Sequence, residues 1–259
     1  MITHLNLAVT AAKQAGKVIL EYYKADYEIR DKSYHNPVTT ADHAANDSIN
    51  KTLTEARPEF GWFSEETADS PERLDKEFVW IVDPLDGTKE FIEGVPNFVV
   101  SIALVKNEEP VVGVLYNPVT EELFTAEKGK GAFLNGESIY CAAKNNIEEM
   151  VILNSRSETR RGLWNAYKNT FGELRPIGSV AYKLGITAAG NVDVFASLRP
   201  KNEWDICAGH CIISEAGGVL IDLNGKPVKY NQRKTLITPG LVAGHPEAVE
   251  KTLKTLTIE

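Results

Sequence analysis

The sequence predicts a chain of mixed α+β and α/β class, and three patterns along its 259 residues carry that reading. Two amphipathic helical stretches open it, a run of strands spaced like a meander follows, and from about Lys144 strands and helices alternate. The change of rhythm puts a junction near Asn145-Asn146, dividing the chain into an α+β half, residues 1–145, and an α/β half, residues 146–259.

The first helix is expected over Leu5 to Tyr23, where Leu5, Val9, Ala12, Gly16, Ile19, Leu20 and Tyr23 recur near one face. A second is expected over Thr39 to Ala56, with Thr39 or Thr40 as its cap and Arg57-Pro58 as its stop. Aromatic residues Phe60 to Phe63 and the apolar run Phe78 to Val82 read as strands. The meander is then predicted at Phe98 to Lys106, Val111 to Tyr116, Leu123 to Ala126 and Ala132 to Leu134, with turns at residues 107–110, 117–118 and 129–131. Beyond the junction, strands are expected at Val151 to Asn154, Asp193 to Ser197, Val219 to Asp222 and Leu241 to Ala243. Helices near Ser179 to Ala189, Trp204 to Ala216 and Pro246 to Leu256 separate them.

Composition bounds the function classes. With 43% hydrophobic residues the chain can bury a large core, and its net charge of -8 argues against a general nucleic-acid surface, which requires a basic face. Three cysteines, Cys141, Cys207 and Cys211, make no even disulfide framework and suit a reducing cytoplasm. There is no signal-peptide pattern at Met1 to His4 and no apolar run long enough to span a bilayer, so a soluble cytoplasmic protein is expected.

The most informative segment is Trp80-Ile81-Val82-Asp83-Pro84-Leu85-Asp86-Gly87-Thr88. An apolar strand covered on both faces runs into Asp83, where Pro84 is expected to end the ladder and Gly87 to allow a tight turn. A helix starting at Thr88 would place the Gly87 and Thr88 amides at its N-terminus, a natural anion site. Asp83 and Asp86 repel each other at this spacing unless a hard cation such as Mg²⁺ lies between them. Two further acidic segments accompany it. Trp204-Asp205 through Ala208-Gly209, followed by Glu215-Ala216-Gly217-Gly218, reads as a helix that opens on an acid and closes on glycines, and Ser64-Glu65-Glu66 follows a strand.

Together these blocks resemble the inositol monophosphatase superfamily of Mg²⁺-dependent, lithium-sensitive phosphatases, over nearly the whole chain. Residues 36–42, Asn-Pro-Val-Thr-Thr-Ala-Asp, and Gly178-Ser179 resemble two more of its motifs. The resemblance implies a layered αβαβα sandwich of the sugar-phosphatase type, with two to three Mg²⁺ ions in the crevice between halves. Glu65, Asp83 and the main-chain carbonyl of Leu85 would hold one ion; Asp83, Asp86 and Asp205 would hold another. Most ligands would then lie in the N-terminal half, with Asp205 and substrate-side residues in the C-terminal half. Thr88, hydrogen-bonded to Asp42, would help Glu65 orient and deprotonate the attacking water. Asp86, Gly87, Thr88, Ser179, Lys183 and Glu203 would line the substrate side, a lysine meeting a second phosphate and Glu203 accepting from sugar hydroxyls. The resemblance also makes a homodimer plausible. Four carboxylates with two or three divalent ions leave a pocket able to accept a phosphate dianion, and two metals about 4 Å apart can serve an in-line displacement.

Competing readings are distinguishable. Haloacid-dehalogenase-type phosphatases use Asp-x-Asp, one residue tighter than the spacing here, and attack through a covalent aspartyl intermediate. On the substrate, Lys89-Glu90-Phe91 and Asn202-Glu203-Trp204-Asp205 look more like bisphosphate nucleotidases, which act on 3'-phosphoadenosine 5'-phosphate, and this is the leading expectation. Residues 94–101 and the Gly129 to Gly136 hairpin look equally like inositol monophosphatases. A regulatory or scaffold protein that retains the fold is the reading from another class. Cys207, His210 and Cys211 suggest zinc but are expected to be core, Lys128 to Gly131 is expected to be a hairpin turn, and Arg156, Arg160 and Arg161 cluster on the crevice side.

Overall fold

A computed structural model describes residues 3–33, 36–144 and 146–256. Asn145, the expected junction, lies outside the described residues, as do Met1 and Ile2. In chain order the elements are α1 (His4–Tyr22), β1 (Ile29–Ser33), β2 (Asn36–Thr39), α2 (Thr40–Ala56), β3 (Gly61–Ser64), β4 (Phe78–Asp86), α3 (Thr88–Ile92), β5 (Val99–Lys106), β6 (Glu109–Asn117), β7 (Glu122–Glu127), β8 (Ala132–Leu134) and β9 (Glu137–Ser138). They continue with β10 (Val151–Ser155), α4 (Arg156–Arg160), β11 (Glu173–Ile177), α5 (Val180–Ala188), β12 (Val194–Ser197), β13 (Lys201–Asn202), α6 (Glu203–Glu215), β14 (Val219–Asp222), β15 (Leu236–Ile237), β16 (Leu241–Gly244) and α7 (Pro246–Thr255).

Strands β3 to β9 form one seven-stranded sheet in sequence order, parallel only between β3 and β4. Its β5–β6 hairpin turns through Asn107 and Glu108, both left-handed at φ 52° and 65°, the conformation that matches the twist of paired strands. The second sheet runs β11-β10-β12-β16-β14, with β11, β10 and β12 parallel and β16 antiparallel to both its neighbours.

Three apolar cores arrange these sheets into five layers. Ala8, Ala11, Ala12 and Ala15 of α1 let α2 approach through Ala41 and Ala45, and both helices cover the face of the large sheet carrying Trp80, Val82, Val100, Ile102 and Leu104. The opposite face, with Val79, Ile81, Val99 and Ala103, packs on α5 and α6, which in turn cover Leu153, Phe195 and Ala243 of the small sheet. Behind the small sheet, Ile152, Val194 and Val242 meet α7 and Trp164. The result is the layered αβαβα sandwich. Helix α6 lies between two sheets, which explains why Ile206, Cys207, Ala208, Cys211, Ile212 and Ile213 are apolar around most of its circumference. The middle core draws residues from both sides of Asn145. No helix of the described residues is long and apolar enough to cross a membrane.

Among the local features that differ from the sequence expectation are Pro84 and β11. Pro84 does not end β4, which continues to Asp86 through a bulge. Strand β11 was not foreseen, because Glu173-Leu174-Arg175-Pro176-Ile177 lacks an apolar alternation; as an edge strand it accommodates Pro176 without losing an interior ladder bond.

Packing between layers is close at Gly113 of β6, where a Cβ would stand 2.4 Å from the Ala208 carbonyl oxygen and 2.8 Å from Cys211 Cβ of α6. Gly113→Ala is expected to destabilise the fold by about 1–3 kcal/mol, since backbone rather than a flexible side-chain tip must yield. Urea unfolding measures this, and an unchanged midpoint would show that the layers are not in contact there.

Candidate active site

The bulge in β4 builds the site. Asp83 pairs with Ser101 and Asp86 with Val99, so three steps along β4 match two along β5. In a regular strand, residues three apart point to opposite faces; the extra residue returns both aspartates to the face that packs on α5 and α6. Pro84, which lacks a donor, sits in the bulge where no ladder bond is required. Gly87 follows at φ 109°, and a Cβ there would stand 2.8 Å from the Asn97 carbonyl oxygen, so the turn into α3 is closed to other residues.

Other elements bring in the remaining acids. Glu65 follows β3 and is held by its amide on the Val82 carbonyl at 3.1 Å. Asp205 occupies the first turn of α6 in a capping box, accepting from the Asn202 amide at 2.9 Å. Ligand oxygens of Glu65, Asp83 and Asp205 all lie within 4.8 Å of one another. Asp86 stands outside that trio, its Oδ2 accepting from Ser179 Oγ at 2.6 Å and the Ala181 amide at 2.5 Å at the start of α5. Ser179 adopts φ 56° to make this contact and also caps α5.

One regularity runs through all four carboxylates. A single oxygen of each is fixed, Asp83 Oδ1 by the Leu85 amide at 3.0 Å and Glu65 Oε1 by Lys32 at 3.0 Å, while the second makes no hydrogen bond to any described residue. All four line one cleft of about 340 Å³. Burial, then repulsion from Glu65, Asp86 and Asp205, holds the Asp83 carboxyl well above the ordinary carboxylate range. Asp205 is raised in the same way, by burial and then by Asp86 and Glu65. Burial pushes Asp86 to about 6, against the pull of Ser179 and Lys183. Oriented hard oxygens whose mutual repulsion is unrelieved fit a divalent cation such as Mg²⁺.

Thr88 donates to Asp42 Oδ1 at 2.9 Å and lies 3.3 Å from the Leu85 carbonyl oxygen. Asp42 is itself locked in the capping box of α2, its Oδ2 accepting from the Thr39 amide at 2.7 Å and the Thr39 hydroxyl at 2.6 Å. The Thr88 hydroxyl is thereby aimed.

Of two residues expected on the substrate side, Glu203 is placed elsewhere and Lys183 lines the cleft with its ammonium engaged. Glu203 is fully buried and does not line the cleft; its carboxylate accepts from the Asn231 amide at 2.6 Å and the Gln232 amide at 2.9 Å, pinning that loop to α6. Lys183 lines the cleft but its ammonium is spent on the carbonyls of Ile177, Gly178 and Ser179, so it is not available for a second phosphate. Sequence reading missed Lys32, which a hairpin brings against Glu65 and Glu66. Nothing in an isolated polar strand marks such a contact. The amides of Gly129 and Gly131 are taken by Glu215, so that turn does not offer them to phosphate.

The fold and this cleft define a metal-dependent phosphoric monoester hydrolase. The chain belongs to the inositol monophosphatase family, whose family model matches residues 3–258. An inositol monophosphatase of Dictyostelium discoideum is 37% identical, over 98% of this chain and 94% of that protein. The Nus factor SuhB of Escherichia coli K12 is 34% identical, over 98% and 96%. The crystal structure of the extragenic suppressor protein SuhB from Bartonella henselae superposes with a TM-score of 0.86 at 33% identity, covering 96% of each chain.

Cys207, His210 and Cys211 make no metal cluster among the described residues; His210 is part-buried, its Nδ1 2.9 Å from the hydroxyl of the buried Tyr230. Burial lowers the His210 imidazole to about 4, so it folds in neutral. In the unfolded chain, near 6.5, it binds a proton that the folded chain refuses, so the stability it contributes is complete above pH 6.5 and falls as pH drops toward 4. His210→Phe is expected to flatten this part of the pH–stability profile, which His210 steepens by up to about 3 kcal/mol. Unfolding free energies at pH 7 and pH 5 in both proteins test it; parallel profiles would place the acid lability elsewhere.

Proposed function

We propose that this Mg²⁺-dependent phosphomonoesterase hydrolyses a small phosphorylated metabolite by direct attack of water. The single observation that carries this reading is the cluster of Glu65, Asp83 and Asp205, each with one oxygen free in the cleft. Glu65, Asp83 and the Leu85 carbonyl would hold one ion, and Asp83, Asp86 and Asp205 a second. Bound Mg²⁺ supplies positive charge that acidifies water and stabilises charge developing on the phosphate.

This chain's own residues supply orientation and proton transfer. Thr88, fixed by Asp42, accepts a hydrogen bond from the water and leaves Glu65 to take its proton. The bulge holds Asp83 and Asp86 rigidly, and Ser179 and the Ala181 amide keep Asp86 Oδ1 turned toward the cleft. No nucleophilic side chain is needed, and the three-residue step from Asp83 to Asp86 supports a direct displacement over an aspartyl intermediate.

Two substrate classes fit. The names of the relatives weigh toward inositol monophosphate, the compound class most of them are named for. The correction at Glu203 and Lys183 removes part of the sequence support for 3'-phosphoadenosine 5'-phosphate, while Lys89-Glu90-Phe91 remains in its favour. Cytoplasmic location, lithium inhibition and a homodimer belong to the same proposal.

Asp83→Asn is expected to reduce turnover at saturating Mg²⁺ at least about a hundredfold. Its thermal midpoint should hold or rise, because one buried charge in a repelling cluster is removed. Phosphate release from inositol 1-phosphate and from 3'-phosphoadenosine 5'-phosphate, with Mg²⁺ titrated, is the measurement. Near-normal turnover in the folded variant would sink the assignment.

A further inference from the structure

A recess of about 460 Å³ lies in the C-terminal half and shares no lining residue with the catalytic cleft. Asn154 of β10, Thr159 of α4, Trp164, and Leu174 and Pro176 of the edge strand β11 line it. Trp164 is buried and gives its indole N–H to Glu158 at 2.9 Å, so its side chain offers the recess only carbon. Leu174 and Pro176 add apolar walls. A concave, mostly apolar site of this size with one placed polar group suits a small ligand.

The placed polar group is Asn154, which is fully buried at the floor. Thr159 donates its hydroxyl hydrogen to the Ser155 carbonyl at 3.0 Å, which leaves its oxygen to accept from Asn154 Nδ2 at 2.8 Å. The orientation of the amide is thereby fixed, and Asn154 Oδ1 makes no hydrogen bond to any described residue. A buried acceptor left unmet costs about 1–3 kcal/mol, which a donor entering the recess recovers. Apolar walls around one orphaned acceptor specify a flat, largely apolar molecule that carries an N–H.

The recess and the catalytic cleft are divided by α4. Ser155, Arg156, Ser157 and Arg160 line the cleft, while Asn154 and Thr159 of the same short segment line the recess. On its buried side α4 is held by Glu158, which accepts from Trp164, from the Ser197 hydroxyl at 2.6 Å and from the Leu198 amide at 3.2 Å. A five-residue helix hung on one buried carboxylate shifts as a unit, so a molecule seated against Thr159 and Trp164 also acts on the cleft side of α4. None of Glu65, Asp83, Asp86 and Asp205 lies on α4, so such a shift reaches substrate binding rather than the metal ligands.

We propose that this recess is an effector site for a flat heteroaromatic molecule with an N–H donor, held by Asn154 Oδ1 and read out in the cleft through α4. The site stands by itself; its effect on the cleft rests on the phosphomonoesterase reading. Indole-type and nucleobase rings share the required chemistry.

Calorimetry on two matched pairs separates these sources: indole against benzofuran, and adenine against a fully N-methylated adenine, the second member of each having no N–H. Indole or adenine is expected to bind with a dissociation constant at or below about 1 mM, and its partner at least about tenfold more weakly. Leu174→Trp, on an edge strand, fills the recess, and Asn154→Leu removes the acceptor; each should weaken binding at least about tenfold. With the bound probe saturating, KM for whichever of inositol 1-phosphate and 3'-phosphoadenosine 5'-phosphate is hydrolysed should move at least about fivefold, with kcat within about twofold. The Leu174→Trp protein should show no such response. Absence of binding by both indole and adenine, as when water alone serves Asn154, overturns the site. Equal binding within both pairs, or binding that survives both substitutions, does the same, and binding with an unchanged KM overturns the effector role. If neither phosphate compound is hydrolysed with Mg²⁺, the phosphatase reading fails instead, and the calorimetry decides the site alone.

Discussion

Carboxylates crowded at the end of one buried strand are the constraint around which this molecule is built. Placing Asp83 beside Glu65 and Asp205, with Asp86 close behind, is unfavourable in the absence of a cation, and burial adds to the repulsion. The fold tolerates this by fixing one oxygen of every acid, while the other has no hydrogen-bond partner among the described residues. Those donors are mostly backbone amides at fixed points: Leu85 in the bulge, Asn202 at the cap of α6 and Ala181 at the start of α5. Rigid amides cannot follow a carboxylate that turns away, so the unsatisfied oxygens remain convergent.

The layer order makes that convergence possible. Helices α5 and α6 are clamped between two sheets, and their N-terminal turns therefore stand at a fixed distance from the bulged end of β4. Close contacts such as Gly113 against Ala208, and Gly209 against Leu184, where a Cβ would lie 2.5 Å from Leu184 Cβ, leave little room for sliding. A buried arginine extends the same rigidity to the far side. Arg73 binds Asp69 through two nitrogens, the Asn231 side chain and the Gln232 carbonyl, and lies over the ring of Phe63. Phe63 is two residues from Glu65, while the Asn231 and Gln232 amides hold Glu203, two residues from Asp205. Two acids from opposite halves of the chain are thus braced through one guanidinium.

Around this rigid floor, the cleft walls are chemically different from one another. Acids and their donors lie on one side, and α3 and α4 meet on the other through Arg156 and its two glutamates. A reacting phosphate placed over the acids has Thr88 beside it and Lys89 one residue on. Thr88, held by Asp42, and Lys89 are adjacent residues of one turn in the wall of this cleft.

Much of the architecture was legible in the sequence because it rests on local periodicity and capping. The meander spacing of β5 to β7, the apolar circumference of α6 and the acid in its first turn all follow from patterns within a dozen residues. Asp83, Asp86, Glu65 and Asp205 were legible as acids at strand and helix ends, and the Thr88 contact with Asp42 was anticipated from the resemblance. What the sequence could not decide was direction and commitment. Pro84 marks an interruption equally well as a stop or as a bulge, and only pairing with Ser101 and Val99 selects the bulge. Glu203 and Asp205 share one turn of α6, yet one faces a loop and the other the cleft, because the loop at Asn231 reaches them from 28 residues away. Lys183 and Lys89 both line the cleft, and tertiary contacts saturate one while the other makes no hydrogen bond or ion pair among the described residues. The sequence by itself determined which chemistry is present, since residue types and local spacing are enough to name hard ligands and helix caps. The tertiary structure decided which groups remain available for use, because availability depends on partners far apart in the chain.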